Sequence, residues 1–87
     1  MMLHVGFENY VSTDKIIAIA NYDSAPMKKA RVDAQEQGKF INLTFGKRTL
    51  TLIFLNDGYV VGTFNKARKL NERLMNNEQS PNTSSNL

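Results

Sequence analysis

From Lys39 to Phe64 the chain keeps a period of two, and this pattern restricts its fold more than any other feature. Ile41, Leu43 and Phe45 fall on one face of an extended segment. Leu50, Leu52 and Phe54 continue the alternation beyond Gly46-Lys47-Arg48-Thr49, and Tyr59 to Phe64 forms a third segment. Such a period suits strands and not helices. GKRT reads as a tight turn. Asn56-Asp57-Gly58 is a hairpin signal, because asparagine, aspartate and glycine tolerate positive φ. Three strands in succession with short connections predict an antiparallel meander.

Upstream, Leu3 to Gly6 is a short strand candidate, and Lys15 to Tyr22 is apolar on both faces, as a covered central strand would be. The period then changes. Ser24 can cap a helix, and Pro26 is tolerated in a first turn, where its missing N–H costs nothing. Met27, Ala30 and Ala34 follow at helical spacing up to Gly38. That face is thin, so this helix can lie close to a sheet or to a neighbouring subunit. A second helix is expected from about Asn65 to Asn76, burying Ala67, Leu70 and Leu74 and aligning Lys66, Lys69 and Arg73 in one stripe. The order β-β-α-β-β-β-α describes an α+β domain over 1–76. It has a mainly antiparallel sheet, one helix after the second strand and a C-terminal helix.

Residues 77–87 are polar, lack periodicity and read as a disordered tail. From Glu78 to Leu87 there is one charge and too little apolar surface to offset ordering entropy. Deleting these residues is expected to leave Tm and ligand affinity unchanged within error. A lost oligomer or weakened binding would show that the tail docks on the domain.

The 87 residues contain no cysteine, so disulfides and thiolate chemistry are excluded, and a core this small often gains stability by oligomerising. No signal peptide is evident, and the longest apolar run, LIFL, is far too short to cross a bilayer, so a cytoplasmic protein is expected. Enzyme templates fail. A P-loop would need glycine at Ile41 and serine or threonine at Arg48, and it would open a helix. His4 is the single histidine and has no sulfur or imidazole to share a metal with. No carboxylate pair has a spacing suited to acid–base work. Neither catalysis, a metal nor a cofactor is expected.

The net charge of +3 is modest, but its distribution is uneven. Lys28, Lys29, Arg31, Lys39, Lys47 and Arg48 face only Asp33 and Glu36 between Ser24 and Arg48. Lys66, Arg68, Lys69 and Arg73 face Glu72 alone. Basic residues gathered in patches suit a polyanion such as nucleic acid. Two adjacent cations at the GKRT turn can straddle a phosphate backbone. The alternative is an RNA-binding or protein-scaffolding oligomer, although Tyr10, Tyr22 and Tyr59 form no aromatic–basic cluster of the RNP kind.

Four short motifs in one order carry a resemblance. They are GF-x-N-x-VS at Gly6 to Ser12, SAP-x-K at Ser24 to Lys28, DA-x-x-x-G at Asp33 to Gly38, and TFGKRT at Thr44 to Thr49. Together they resemble the extracellular matrix regulatory protein A (RemA) family, with RemB as a sister branch, in register from about Gly6 to Leu74. The resemblance implies a fold similar to LytTR-type DNA-binding domains. It also implies a homo-oligomeric ring of about eight subunits that binds double-stranded promoter DNA and activates biofilm matrix genes. Carried over by position, the DNA-contacting residues fall on Lys15, Lys47 and Arg48, and the proline important for assembly falls on Pro26. Lys15 and Lys47 stand where the family usually has arginine, and Gln35 and Gln37 stand at places that are basic in the family. These departures exchange bidentate contacts for point charges and weaken the field.

Overall fold

Thr51, Leu52 and Ile53 are all buried, and so are Val60, Val61, Gly62 and Thr63. Two adjacent strands with no exposed face must lie at the centre of a sheet. The computed structural model describes residues 1–79 and places them there. Its strands are β1 (Met2–His4), β2 (Tyr10–Ser12), β3 (Ile16–Asn21), β4 (Phe40–Leu43), β5 (Thr51–Leu55) and β6 (Val60–Thr63). Its helices are α1 (Ala25–Glu36) and α2 (Ala67–Gln79), with 3-10 turns at Thr13–Lys15 and Asn56–Gly58. β1 and β2 form a small antiparallel sheet, and the main sheet has the order β3-β5-β6-β4. The fold is α+β with mostly antiparallel pairing, as the alternation predicts.

The central strands alternate between two cores. Ile53 and Val61 face Leu3, Val5, Val11 and Leu70, so the β1–β2 hairpin and α2 cover one side of the sheet. Leu52 and Val60 face Ala34, with Met27, Tyr22, Phe40 and Phe54 around them, so α1 covers the other. Burying a side chain of the Leu or Val class contributes about 1.5–3 kcal/mol. The α1 side, with alanine at its centre, is the weaker half. The buried threonines are satisfied. Thr51 Oγ1 donates to the Asn65 carbonyl at 2.6 Å, and Thr63 Oγ1 donates to Asn65 Oδ1 at 3.0 Å, fixing the lead into α2.

Three expectations change. Lys15 to Tyr22 is not a central strand, because β3 pairs only with β5 and forms an edge of the sheet. Its apolar outer residues stay exposed, Ile17 at 70%. The three-strand meander is also wrong. Asn56-Asp57-Gly58 does join the antiparallel pair β5–β6, but β4 runs parallel to β6 on its far side. The connection 44–50 therefore passes the end of β6 to reach β5, crossing two strand spacings of about 4.8 Å each. GKRT lies within that crossover and is no two-strand hairpin tip. Finally, β2 adds a strand before α1, so that helix follows the third strand. α2 continues to Gln79, while residues 80–87, where most of the tail expectation falls, lie outside the described residues.

Candidate nucleic-acid interface

The crossover 44–50 is pinned at both ends and free between them. At its start Asn42 Oδ1 accepts from the Thr44 N–H at 3.0 Å and from Thr44 Oγ1 at 2.7 Å, and Thr44 is buried. At its end the Leu50 N–H donates to the Thr63 carbonyl at 2.9 Å, and the Leu50 carbonyl accepts from the Tyr22 N–H at 2.9 Å. Between these anchors Phe45, Gly46, Lys47 and Arg48 are all exposed. The Lys47 N–H closes a turn onto the Thr44 carbonyl at 3.0 Å, and Phe45 and Gly46 both have positive φ, 53° and 85°. Cations on a pinned loop lose less conformational freedom on binding than cations on a loose one.

Lys47 Nζ lies 5.9 Å from the centre of the Phe64 ring. Arg48 turns towards a shallow hollow that it shares with Tyr22, Asp23, Lys28, Arg31 and Thr49. A second hollow places Arg48 beside Lys66, Asn21 and Leu50. Arg48 thus stands between two groups of cations, Lys28 and Arg31 in one hollow and Lys66 in the other, with Tyr22, Asp23 and Thr49 common to both. Asp23 is the carboxylate among them. Arg31 is held between aromatic faces, 4.9 Å from the Phe40 ring centre and 5.6 Å from that of Tyr22, with Nη1 3.4 Å from Thr49 Oγ1. It contributes a fixed positive field, whereas the exposed Arg48 keeps its donors for a ligand.

Sequence reasoning put Lys28 and Arg31 in one basic segment with Arg48 but left Lys66 in another. Arg31 and Lys66 are thirty-five positions apart, and no local period links them. Arg48 does so, because it lines one hollow with Lys28 and Arg31 and a second with Lys66.

Lys15 lies elsewhere. It ends the Thr13–Lys15 turn and is exposed, but it precedes β3 at the end where Ile16 pairs with Leu55. The crossover meets β3 at the opposite end, where Asn21 pairs with Thr51. Six strand residues separate the two, about 20 Å at ~3.3 Å per residue. One protomer does not bring Lys15 to Lys47 and Arg48. The α2 stripe is also divided. Lys66 and Lys69 are exposed, but Arg73 is half-buried and donates from Nη1 to the His4 carbonyl at 3.0 Å, tying α2 to β1. Pro26 is exposed in the first turn of α1. Ser24 holds the N-cap position without a side-chain cap bond. Among the described residues no cluster of His, Cys, Asp and Glu could hold a metal, and no helix is long and apolar enough to cross a membrane.

Comparison with known proteins agrees with the motifs. Residues 2–74 match the family model described as extracellular matrix regulatory protein A-like. A protein of Fervidobacterium nodosum is 35% identical over 60 residues, 69% of this chain, and the match spans 64% of that relative's length. A protein of Microcystis aeruginosa is 34% identical over 85 residues, 98% of this chain and 96% of its own. One of Oleidesulfovibrio alaskensis is 32% identical over 79 residues, 91% of this chain and 94% of its own. All three carry the name "Putative regulatory protein", which supports a regulatory and not an enzymatic role.

Proposed function

This chain belongs to the extracellular matrix regulatory protein A-like family, and from that premise we propose that it is a homo-oligomeric DNA-binding transcriptional regulator. It works in the cytoplasm and activates biofilm matrix genes by gripping the phosphate backbone of promoter DNA. The observation that carries this reading is the convergence of Lys28, Arg31 and Lys66 on the exposed Arg48, with Lys47 beside it on a pinned crossover. A phosphate arriving there meets a point charge at Lys47, a guanidinium fork at Arg48 and the field of three further cations. Few groups compete for it.

A single protomer offers a handful of contacts, which binds weakly at cellular salt. Repetition on a closed assembly turns weak contacts into avidity. The sheet supports such an assembly. Its edges, β3 and β4, run parallel to each other on opposite sides and expose Ile17 at 70% and Ile41 at 40%. An open edge with apolar side chains is an aggregation liability unless something pairs with it. A head-to-tail contact of β3 on one copy with β4 on the next covers both, and such heterologous contacts close into rings. Lys15, remote from the crossover within one protomer, then supplies a separate contact along the DNA path.

Titrating a duplex against the purified protein at several salt concentrations tests the reading. The expected result is saturable binding with a steep negative slope of log K against log salt. No duplex binding at low salt, or tighter binding to single-stranded RNA of the same length, would overturn it.

Assembly has its own test. The Ser24 side chain accepts no cap bond from the first turn, so the fixed φ of Pro26 is the main local device that starts α1. Pro26→Ser is expected to lower the oligomer mass measured by light scattering, at least to dimer or monomer, at constant protein concentration. A wild-type chain that runs as a monomer at micromolar concentration would overturn the ring.

A further inference from the structure

Two turns of this fold break the usual residue rule in the same way. In the first the Asn9 N–H donates to the Gly6 carbonyl at 2.9 Å, and the two residues between, Phe7 and Glu8, have φ of 51° and 59°. In the second the Lys47 N–H donates to the Thr44 carbonyl at 3.0 Å, with Phe45 and Gly46 between them at 53° and 85°. A four-residue turn with positive φ at both central positions takes asparagine, aspartate or glycine there, and a bulky side chain in that conformation is an outlier. Both turns instead put phenylalanine at the first central position. The two rings meet, with centroids 4.9 Å apart in an edge-on arrangement, and Phe7 also lies 5.1 Å from Phe64.

The core gains little from this, because Phe7 and Phe45 remain 52% and 57% exposed. Backbone strain that serves no packing purpose collects where a ligand is held. The surroundings identify the ligand's chemistry. Lys47 is two residues from Phe45 and sits over Phe64, and Arg48 and Lys66 are the next cations along the same surface. Glu8 is the carboxylate on the two turns. An aromatic tip rimmed by cations suits a flat apolar group attached to phosphate.

We propose that Phe7 and Phe45 form a wedge that packs against a base step of the duplex whose phosphates Lys47 and Arg48 hold. Architectural DNA-binding proteins insert apolar side chains between base steps from the minor groove, and an aromatic face gains most from the contact. The proposal rests on the DNA reading above and adds a base-contacting element to it. The wedge makes sequence preference a matter of how easily a step unstacks, favouring flexible pyrimidine–purine steps.

Phe45→Asn provides the test. Asparagine is at home at positive φ, and followed by Gly46 it keeps the turn while removing the ring. The expected result is duplex affinity lower by about tenfold or more, with the salt slope, oligomer mass and Tm unchanged or Tm slightly raised. With 2-aminopurine placed at steps along the duplex, the wild-type protein raises fluorescence at one or more of them and Phe45→Asn does not. Unchanged affinity in Phe45→Asn would overturn the wedge while leaving the phosphate contacts standing, since the loss of affinity in Lys47→Ala/Arg48→Ala tests those separately. A drop in oligomer mass would overturn it too, because the rings would then belong to a contact between subunits. If the wild-type protein binds no duplex, the wedge and the DNA reading fall together.

Discussion

Changing Lys47 and Arg48 together to alanine is expected to lower duplex affinity at least about 100-fold at moderate salt while the fold and the oligomer persist. Arg48 makes no side-chain hydrogen bond or ion pair among the described residues, and Lys47's side chain only lies over Phe64. The turn depends on the Lys47 backbone N–H, which alanine retains. Surface changes of this kind cost within about 0.5 kcal/mol, so Tm moves by no more than about 4 °C in a domain this small. Each lost phosphate contact removes about 0.9 from the salt slope, so the slope shrinks by about two units for every subunit on the DNA. The single changes separate the two roles. Arg48→Ala weakens binding more than Lys47→Ala, because Arg48 alone stands among Lys28, Arg31 and Lys66. Lys47→Arg restores a bidentate fork and tightens binding. Lys15→Ala, about 20 Å away along β3, adds independently to either. Equal affinity and slope in the double variant would remove the basis for the phosphate reading of this crossover.

What could be read from the chain follows from how local each signal is. Asn56-Asp57-Gly58 announces the β5–β6 hairpin because the turn's residues are its cause. Ser24-Ala25-Pro26 and Gly38 bracket α1 for the same reason. Pairings between distant segments leave no such mark. Alternation in Phe40–Leu43 and in Thr51–Leu55 is the same whether the strands are neighbours or stand on either side of β6. β2 was hidden because Gly6-Phe7-Glu8-Asn9 carries phenylalanine and glutamate where a two-residue turn normally carries asparagine and glycine. β3 misled in a different way. Its apolar outer face looks like core in a sequence, and the fold leaves Ile17 on it exposed. At the site, the exposure of Lys47 and Arg48 could be read from one loop. That Arg48 lies beside Lys66 as well as Lys28 and Arg31 required the crossover to be placed against both the start of α1 and the lead into α2.

The largest loss of stability from the smallest change is expected at Gly6. Its φ is +97°, outside the range that side-chain-bearing residues adopt readily, and a Cβ there would lie 2.7 Å from two ring carbons of Phe64 and 3.2 Å from Asn65 Oδ1. Neither neighbour can easily yield. Phe64 packs against Phe7, and Asn65 Oδ1 is committed to Thr63 Oγ1 at the lead into α2. Gly46 is the matched control, because its φ is +85° but a Cβ would meet nothing within 4 Å. Gly46→Ala therefore carries only the conformational cost, about 1–2 kcal/mol. Gly6→Ala adds an overpacking cost of about 1–3 kcal/mol, for about 2–5 in total. In a domain of this size each kcal/mol lowers Tm by about 4–8 °C, so the Gly6 variant should melt at least ~8 °C below wild type and clearly below Gly46→Ala. The comparison is made at one protein concentration, since assembly itself raises Tm. Gly6 also sets the first of the two phenylalanine-bearing turns and abuts the ring beneath Lys47. At a temperature where the variant is still folded, its duplex affinity should fall with the salt slope intact, as for Phe45→Asn. Equal melting of the two glycine variants would show that Phe64 moves aside freely, and that the aromatic cluster is not the rigid support assigned to it.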